Sequence, residues 1–292
     1  MADNIKFKNK DREDIGKIAD IIMNLIFYQV VFTIIFIIVA DILGYMGLHK
    51  DIIEPYSRLT GEILSYIFFI KNYTKDNRYK LKLQNTLHFK GYVFISMLII
   101  GYILVYDNTI NILLSKVIKN SLFYDAMATE MENPIVGFIG TVVMAPIFEE
   151  IVYRGIMLDE LLLKYNCKKA IIISAVIFAV IHLNFIQLTD AFIAGIILGT
   201  VYCKTKSLIP CITIHFLNNL FYNIVEFYPS IYKTKFNIIR LGIGIAILST
   251  LAYLFTKNNE KQMVAIVLKK IVIILELINL FLQNQNILLI IN

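Results

Sequence analysis

The sequence predicts an all-α membrane protein, a polytopic transmembrane helix bundle of about eight or nine spans. Hydrophobic residues make up 58% of its 292 residues and charged residues only 17%, and the mean hydropathy is +0.69. Soluble domains usually contain about 25% charged residues. The apolar residues form blocks of roughly 17–25, the length that a helix needs to cross about 30 Å of hydrocarbon. Backbone polar groups in lipid must be paired within the protein, which favours helices.

Charged segments separate the apolar blocks and define the candidate helices. The second block contains Glu54, Arg58 and Glu62, so it could instead lie on the membrane surface. The last block could be a further helix or an interfacial tail. In chain order, the candidate spans are 20–43, 51–70, 91–107, 136–158, 169–186, 189–203, 207–227, 238–256 and 264–291.

The distribution of Lys and Arg predicts the orientation. If every block crosses, most basic residues lie on one side, including those before residue 18 and those in 71–90. The positive-inside rule then places the N-terminus in the cytoplasm. This distribution also explains the net charge of +6 without a nucleic-acid partner. We therefore expect a multi-pass protein of the cell membrane, whose partner is the lipid bilayer.

The chain is expected to form one membrane domain with two flanking segments. Residues 1–19 form a cytoplasmic N-terminal segment, and 20–256 form the membrane-embedded domain, with its motif core at 136–227. Residues 257–292 form a C-terminal apolar segment that could add a transmembrane helix.

One glycine pair and the three cysteines are expected to contribute to helix packing and not to chemistry. Gly195 and Gly199 have the small-xxx-small spacing that lets helix backbones approach closely. The cysteines form no CxxC pair and no zinc or disulfide framework, so we assign no role to them. They are Cys167, Cys203 and Cys211.

Three ionisable residues lie within one apolar helix, where charge is costly. Glu150 and Arg154 are four residues apart, so they share a helical face and can form an ion pair. Glu149 points about 100° away from that pair. A carboxylate in such surroundings can act as a general base toward water. The alternative is a buried polar cluster that only holds helices together.

Two further apolar helices each carry a histidine. His182 shares a face with Phe178, and His215 shares a face with Asn219, both at a spacing of four residues. Each histidine could also have a purely structural hydrogen bond, and the asparagine could join helices. The rise per residue places Glu149 and both histidines at a similar membrane depth. We therefore expect them to meet in one cavity.

Two kinds of chemistry remain open for this set of residues. The carboxylate could take a proton from water while a histidine orients the water and an asparagine stabilises an oxyanion. The same Glu149, His182 and His215 could instead bind a divalent metal such as zinc. No cofactor is certain from the sequence.

The three motifs resemble those of the CPBP intramembrane proteases. This family includes CAAX prenyl endopeptidases of the Rce1 type and bacterial abortive-infection and bacteriocin self-immunity proteins. The motifs occur in order on separate apolar helices: EExxxR at Glu149, Glu150 and Arg154, FxxxH at Phe178 and His182, and HxxxN at His215 and Asn219.

The resemblance implies an intramembrane CAAX-type endopeptidase, classed as a metalloprotease or as a metal-free glutamate protease. Glu149 would be the catalytic base and His182 would lie beside the water. His215 and Asn219 would serve the oxyanion or a metal. The remaining motif residues, Glu150, Arg154 and Phe178, would support the site. The substrate would be a membrane-associated protein or peptide.

Two other functions remain open. The first is a non-catalytic bacteriocin-immunity or partner-binding membrane protein, which would keep the motifs for packing. The second is a proton-coupled transporter, which would also use buried Glu and His. The sequence has no inverted repeat that favours the transporter. The composition, rich in Asn, Ile and Lys, is typical of a bacterial chain and indicates the bacterial plasma membrane.

Overall fold

The structure is a computed structural model that describes residues 2–75, 80–84, 87–117, 133–182, 185–227 and 235–257. These residues form helices and connecting turns, with no β-strand among them, which confirms the predicted all-α class. The helices are α1 (Ala2–Tyr45), α2 (Lys50–Thr74), α3 (Phe89–Asp107), α4 (Ile110–Val117), α5 (Pro134–Lys164), α6 (Cys167–Ile181), α7 (Phe185–Thr205), α8 (Leu208–Phe227) and α9 (Ile238–Lys257).

Five segments of the described chain are long and apolar enough to cross a membrane. Helix α2 is not among them, since it carries the charges noted above, and the apolar part of α9 is shorter. The predicted total of eight or nine spans therefore stays a prediction, and the block at 264–291 lies outside the described residues. The five segments are Gly16–Tyr45, Phe89–Leu114, Pro134–Lys164, Gln187–Thr205 and Leu208–Val225.

Helices α1 and α2 form an antiparallel hairpin. The Asn24 amide donates to the Tyr73 hydroxyl at 3.3 Å near one end, and Lys50 pairs with Asp41 at 2.6 Å near the other. Since α2 runs back along most of the apolar length of α1, the pairing favours a second crossing over a surface position. Helix α1 begins at Ala2, so the predicted N-terminal segment and the first span form one helix.

The helix boundaries follow local capping chemistry. Asn133 accepts a hydrogen bond from the Val136 N–H and precedes Pro134 at the start of α5. Asn166 caps α6 in the same way by accepting from Lys169 N–H. Helix α6 ends five residues earlier than the predicted span 169–186. It ends there because the His182 N–H closes a tighter turn to the Ala179 carbonyl at 3.2 Å.

Helix α5 lies at the centre of the bundle and contacts α8, α6, α7 and α2. Two stretches of α5, Ile139–Met144 and Ile151–Leu158, are π-helical. The second stretch is buried along its whole length. Such wider turns are rare, and they occur mostly as bulges inside α-helices, frequently at functional sites. Here they flank the short α-helical segment Ala145–Glu150, which carries both glutamates of the first motif.

The glycine pair of α7 packs as predicted. A Cβ atom on Gly195 would lie 3.0 Å from the Cα and Cβ atoms of Ala175 in α6, and one on Gly199 would lie 3.2 Å from Ile171. The two helices are therefore in backbone contact, and α6 carries Phe178 and His182 into the centre of the bundle.

Candidate active site

The buried centre of the site is an ion pair within α5. Arg154 Nη1 donates to Glu150 Oε1 at 2.8 Å, and the two side chains are 1% and 0% exposed. The spacing of four residues predicts this pair. Burying an ion without a partner costs several kcal/mol, so each residue offsets the desolvation of the other.

His215 of α8 lies between the two glutamates of α5. Its Nδ1 is 2.9 Å from Glu150 Oε1, and its Nε2 is 3.8 Å from Glu149 Oε2. The first distance is a hydrogen bond and the second is too long for one. Glu149 and Glu150 point in directions about 100° apart, yet they reach the same imidazole because they approach its opposite edges.

Glu149 differs from Glu150 in exposure and in partners. The Glu149 side chain is 19% exposed, and its buried Oε2 atom has no hydrogen-bond partner in the part of the chain that the structure describes. The carboxylate therefore faces the inside of the bundle with one oxygen available. It can accept a proton from a molecule that enters from the accessible side.

Phe178 joins the three motifs. Its ring contacts His182 and His215 edge to face, with centroids 4.9 and 5.9 Å away. The Arg154 guanidinium lies 4.5 Å from the centroid of the same ring, within the range of a cation–π contact. Because Phe178 is 2% exposed, it is a rigid spacer around which both imidazoles and the arginine are placed.

His182 takes its orientation from its own helix. Its Nδ1 lies 2.7 Å from the Phe178 carbonyl oxygen, four residues earlier. A carbonyl can only accept, so Nδ1 carries the proton and Nε2 is left for another partner. The imidazole is part-buried.

Asn219 is tied to the first π-helical stretch of α5. In that stretch the Ala145 N–H donates to the Gly140 carbonyl, five residues back. The next donor in this register would be residue 146, which is a proline and has no N–H. The Thr141 carbonyl instead accepts from Asn219 Nδ2 at 2.8 Å. Because Pro146 has no N–H to donate, the Thr141 carbonyl stays available, and Asn219 of the third motif binds to it.

The predicted zinc set is not assembled by these side chains. In the described ranges, no three His, Cys, Asp or Glu residues form a group that could hold a metal ion. Glu149 and His215 face each other, and zinc sites in proteins use three or four protein ligands. The donors present therefore do not fit a zinc centre.

A third acidic residue near the site was not predicted. Asp190 of α7 accepts a hydrogen bond from the Tyr102 hydroxyl at 2.5 Å and interacts electrostatically with His215. The signal for it was available, because it is an ionisable residue within an apolar block. It is the second residue of that block, a position that is also typical of a membrane boundary.

Comparison with known proteins supports the resemblance. Residues 131–221 match a family described as type II CAAX prenyl endopeptidase Rce1-like. The matched segment is less than half of the chain, and it contains all three motifs. Comparison with curated proteins and with solved structures gives no match. The segment that holds the three motifs, residues 131–221, is thus similar to the family that these motifs indicate.

Proposed function

We propose that the protein is an intramembrane endopeptidase of the CAAX-protease type. It would hydrolyse a peptide bond in a membrane-associated protein or peptide, with Glu149 as the general base. The observation that carries the proposal is the arrangement of Glu149 Oε2 and His215 Nε2, which face each other 3.8 Å apart inside the bundle.

These two atoms are 3.8 Å apart, so a water molecule that enters between them would hydrogen-bond to both. Glu149 Oε2 has no hydrogen-bond partner among the residues that are described, so it is available to that water. Glu149 takes one proton from the water while the water oxygen bonds to the carbonyl carbon of the scissile peptide. The carbonyl oxygen becomes an oxyanion.

Both histidines present the same ring nitrogen. His215 Nδ1 donates to Glu150, since an ionised carboxylate can only accept, and His182 Nδ1 donates to a backbone carbonyl. In the neutral form each Nε2 is an acceptor, and in the cationic form it is a donor. A cationic imidazole can stabilise the oxyanion. The cleavage is complete when the oxyanion re-forms the carbonyl, the C–N bond breaks, and the proton held by Glu149 passes to the leaving nitrogen, directly or through an imidazole.

Asn219 supplies a further donor. Its amide has two N–H groups, and Thr141 accepts from this amide. The second N–H can donate to an oxyanion. Donors fixed in advance in this way stabilise a developing negative charge without having to reorganise.

The substitution Glu149→Gln tests the proposal. It keeps the size of the side chain but removes the base, so cleavage should fall by about 10²- to 10⁴-fold. The measurement is cleavage of a peptide library by the purified protein in detergent, read by mass spectrometry. Glu54→Gln is the matched control, because Glu54 pairs with Arg58 at the exposed surface of α2 and should leave cleavage unchanged. Equal cleavage by wild type and Glu149→Gln would contradict the proposal.

The same pair of variants addresses the non-catalytic alternative. A bacteriocin-immunity or partner-binding protein would use the buried Glu150, Arg154 and His215 network only for packing. Cells that express Glu149→Gln would then remain as well protected against a bacteriocin as cells with the wild type. We expect protection to be lost together with cleavage. We also expect cleavage to persist after treatment with a chelator, since the donors do not fit a zinc centre.

A further inference from the structure

A second polar cluster lies between α3, α7 and α8, next to the candidate active site. Asp190 is at its centre. The Tyr102 hydroxyl donates to Asp190 Oδ1 at 2.5 Å, and the Asn218 side chain lies near the same carboxylate. Asp190 is partly exposed whereas Tyr102 and Asn218 are buried. The carboxylate therefore has one buried donor, the Tyr102 hydroxyl.

This cluster and the candidate active site both include residues of α8. Asn218 is the neighbour of Asn219 and lies three residues after His215, one turn along α8. His215 also interacts electrostatically with Asp190. A peptide bound across His215 would therefore extend toward Asn218 on the next turn of α8.

Among the described residues, the groups that act most strongly on Asp190 include one histidine but no lysine or arginine. The arginine of the site, Arg154, is already paired with Glu150. The groups that act most strongly on Asp190 in the described chain are Tyr102, Asp107, His215 and Asn218. Neither a lysine nor an arginine is among them.

Asn218 adds a second acceptor that lacks a donor. The residue is 8% exposed, and its Oδ1 atom is buried with no hydrogen-bond partner in the described ranges. Because the Asn218 side chain lies near Asp190, its unpaired oxygen is close to the carboxylate. Buried polar atoms in folded proteins nearly always have a partner. An unpaired acceptor close to a carboxylate is suited to a ligand that is cationic and rich in donors.

We propose that Asp190 and Asn218 Oδ1 form a subsite that binds a lysine or arginine side chain of the peptide substrate. An ammonium has three N–H donors and a guanidinium has five, and neither has an acceptor. Either group would supply the positive charge for Asp190 and the hydrogen bond for Asn218. This inference rests on the proposed endopeptidase function and names its substrate class: peptides with a basic residue at a fixed distance from the scissile bond.

The test compares matched peptides on the same preparation of enzyme. Cleavage of the peptide library by the purified protein should show lysine or arginine enriched at one position relative to the cut. Two peptides are then made that differ only there, one with lysine and one with methionine. Wild type should cleave the lysine peptide with a higher kcat/KM, by roughly tenfold or more, as for hydrogen bonds to a charged group.

Asp190→Asn should remove this preference. The ratio of kcat/KM for the lysine peptide to that for the methionine peptide should fall to about one. The ratio is measured within one preparation, so partial unfolding does not change it. If Asp190→Asn does not fold, Asn218→Leu carries the test, since it removes Oδ1 and should lower the same ratio. Asp159→Asn is the matched control. The Asp159 carboxylate lies outside the site and pairs with Lys82, with 2.5 Å between the two side chains, so this substitution should leave the ratio unchanged.

The outcomes separate this inference from the proposed function. Cleavage that depends on Glu149 but shows no basic preference would overturn the subsite alone. So would a preference that Asp190→Asn or Asn218→Leu leaves intact. A wild-type protein that cleaves no peptide in the library would overturn both.

Discussion

At the scale of single residues, His215 is the side chain that connects the third motif to both glutamates of the first motif. One ring nitrogen hydrogen-bonds to the buried Glu150 and the other faces the accessible Glu149. Glu150 in turn holds Arg154, which lies over the ring of Phe178. The buried half of the network fixes the proton of His215 on Nδ1. The accessible half, at Glu149, is the side on which the proposed substrate would bind.

The substitution Arg154→Met should strongly destabilise the protein. It would leave Glu150 as a buried carboxylate without its cation, and losing one partner of a buried pair typically costs about 3–5 kcal/mol. Arg58→Met is the control, since the Arg58 side chain is 52% exposed in its pair with Glu54 and exposed pairs contribute at most about 1 kcal/mol. The free energy of unfolding in detergent is the quantity to measure. Equal losses in both variants would mean that the Glu150 and Arg154 pair is not buried in the folded protein.

The double variant Glu150→Gln with Arg154→Met gives the prediction a second check. It removes both charges, so no unpaired ion remains in the bundle. We expect it to be more stable than Arg154→Met alone, although it loses the hydrogen bond between Glu150 and His215.

At the scale of elements, the site depends on how closely α6 and α7 approach. The contact at Gly195 and Ala175 brings α7 against the face of α6 that carries Phe178, and a Cβ on Gly195 would also lie 3.5 Å from the Phe178 ring. A small residue in α7 therefore determines where the central spacer of the site lies. The packing of the two helices and the geometry of the two imidazoles are connected through this ring.

Gly195→Val should therefore reduce both stability and activity. Its Cβ would lie 3.0 Å from the backbone of Ala175, and overpacking of this kind costs about 1–3 kcal/mol. Gly242→Val is the control, because a Cβ there meets no atom within 4 Å. Thermal unfolding and peptide cleavage are measured for both variants. If Gly195→Val behaves like Gly242→Val, the two helices do not pack as closely as described.

At the scale of the whole molecule, the sequence is informative where one chemical rule dominates. Apolar block length predicts the helices, and the spacing of four residues predicts the ion pair of Glu150 and Arg154, which is present at 2.8 Å. The similar depth of the three motifs predicts that their helices meet, and His215 of α8 does lie next to both glutamates of α5.

Other features depend on contacts that spacing does not encode. In the π-helical turns of α5, each backbone N–H donates to the carbonyl five residues back instead of four. These stretches are too short to alter the apolar pattern of the sequence. Asn219 is anchored to Thr141 only because of that register. Asp190 has its donor Tyr102 in a helix 88 residues earlier. Such pairs become visible only once the helices are placed side by side.

The sequence also predicts how the bundle is oriented in the membrane, with the N-terminus in the cytoplasm. The hairpin of α1 and α2 allows a direct test of this orientation. If the N-terminus is cytoplasmic and α2 crosses, the turn that follows Tyr45 faces outward and Lys71 faces the cytoplasm. Tyr45 is 99% exposed and Lys71 is exposed as well, so both positions can react with a reagent. Single cysteines at these positions are made by Tyr45→Cys and Lys71→Cys in a variant whose three native cysteines are serine.

Labelling with a membrane-impermeant maleimide in intact spheroplasts reads the result. Tyr45→Cys should label at once, and Lys71→Cys should label only after the membrane is permeabilised. If α2 instead lay on the outer surface, both cysteines would label in intact spheroplasts. The basic segment after α2 would then face outward, against the positive-inside distribution. Labelling of Lys71→Cys but not of Tyr45→Cys in intact spheroplasts would show that the whole bundle is inverted.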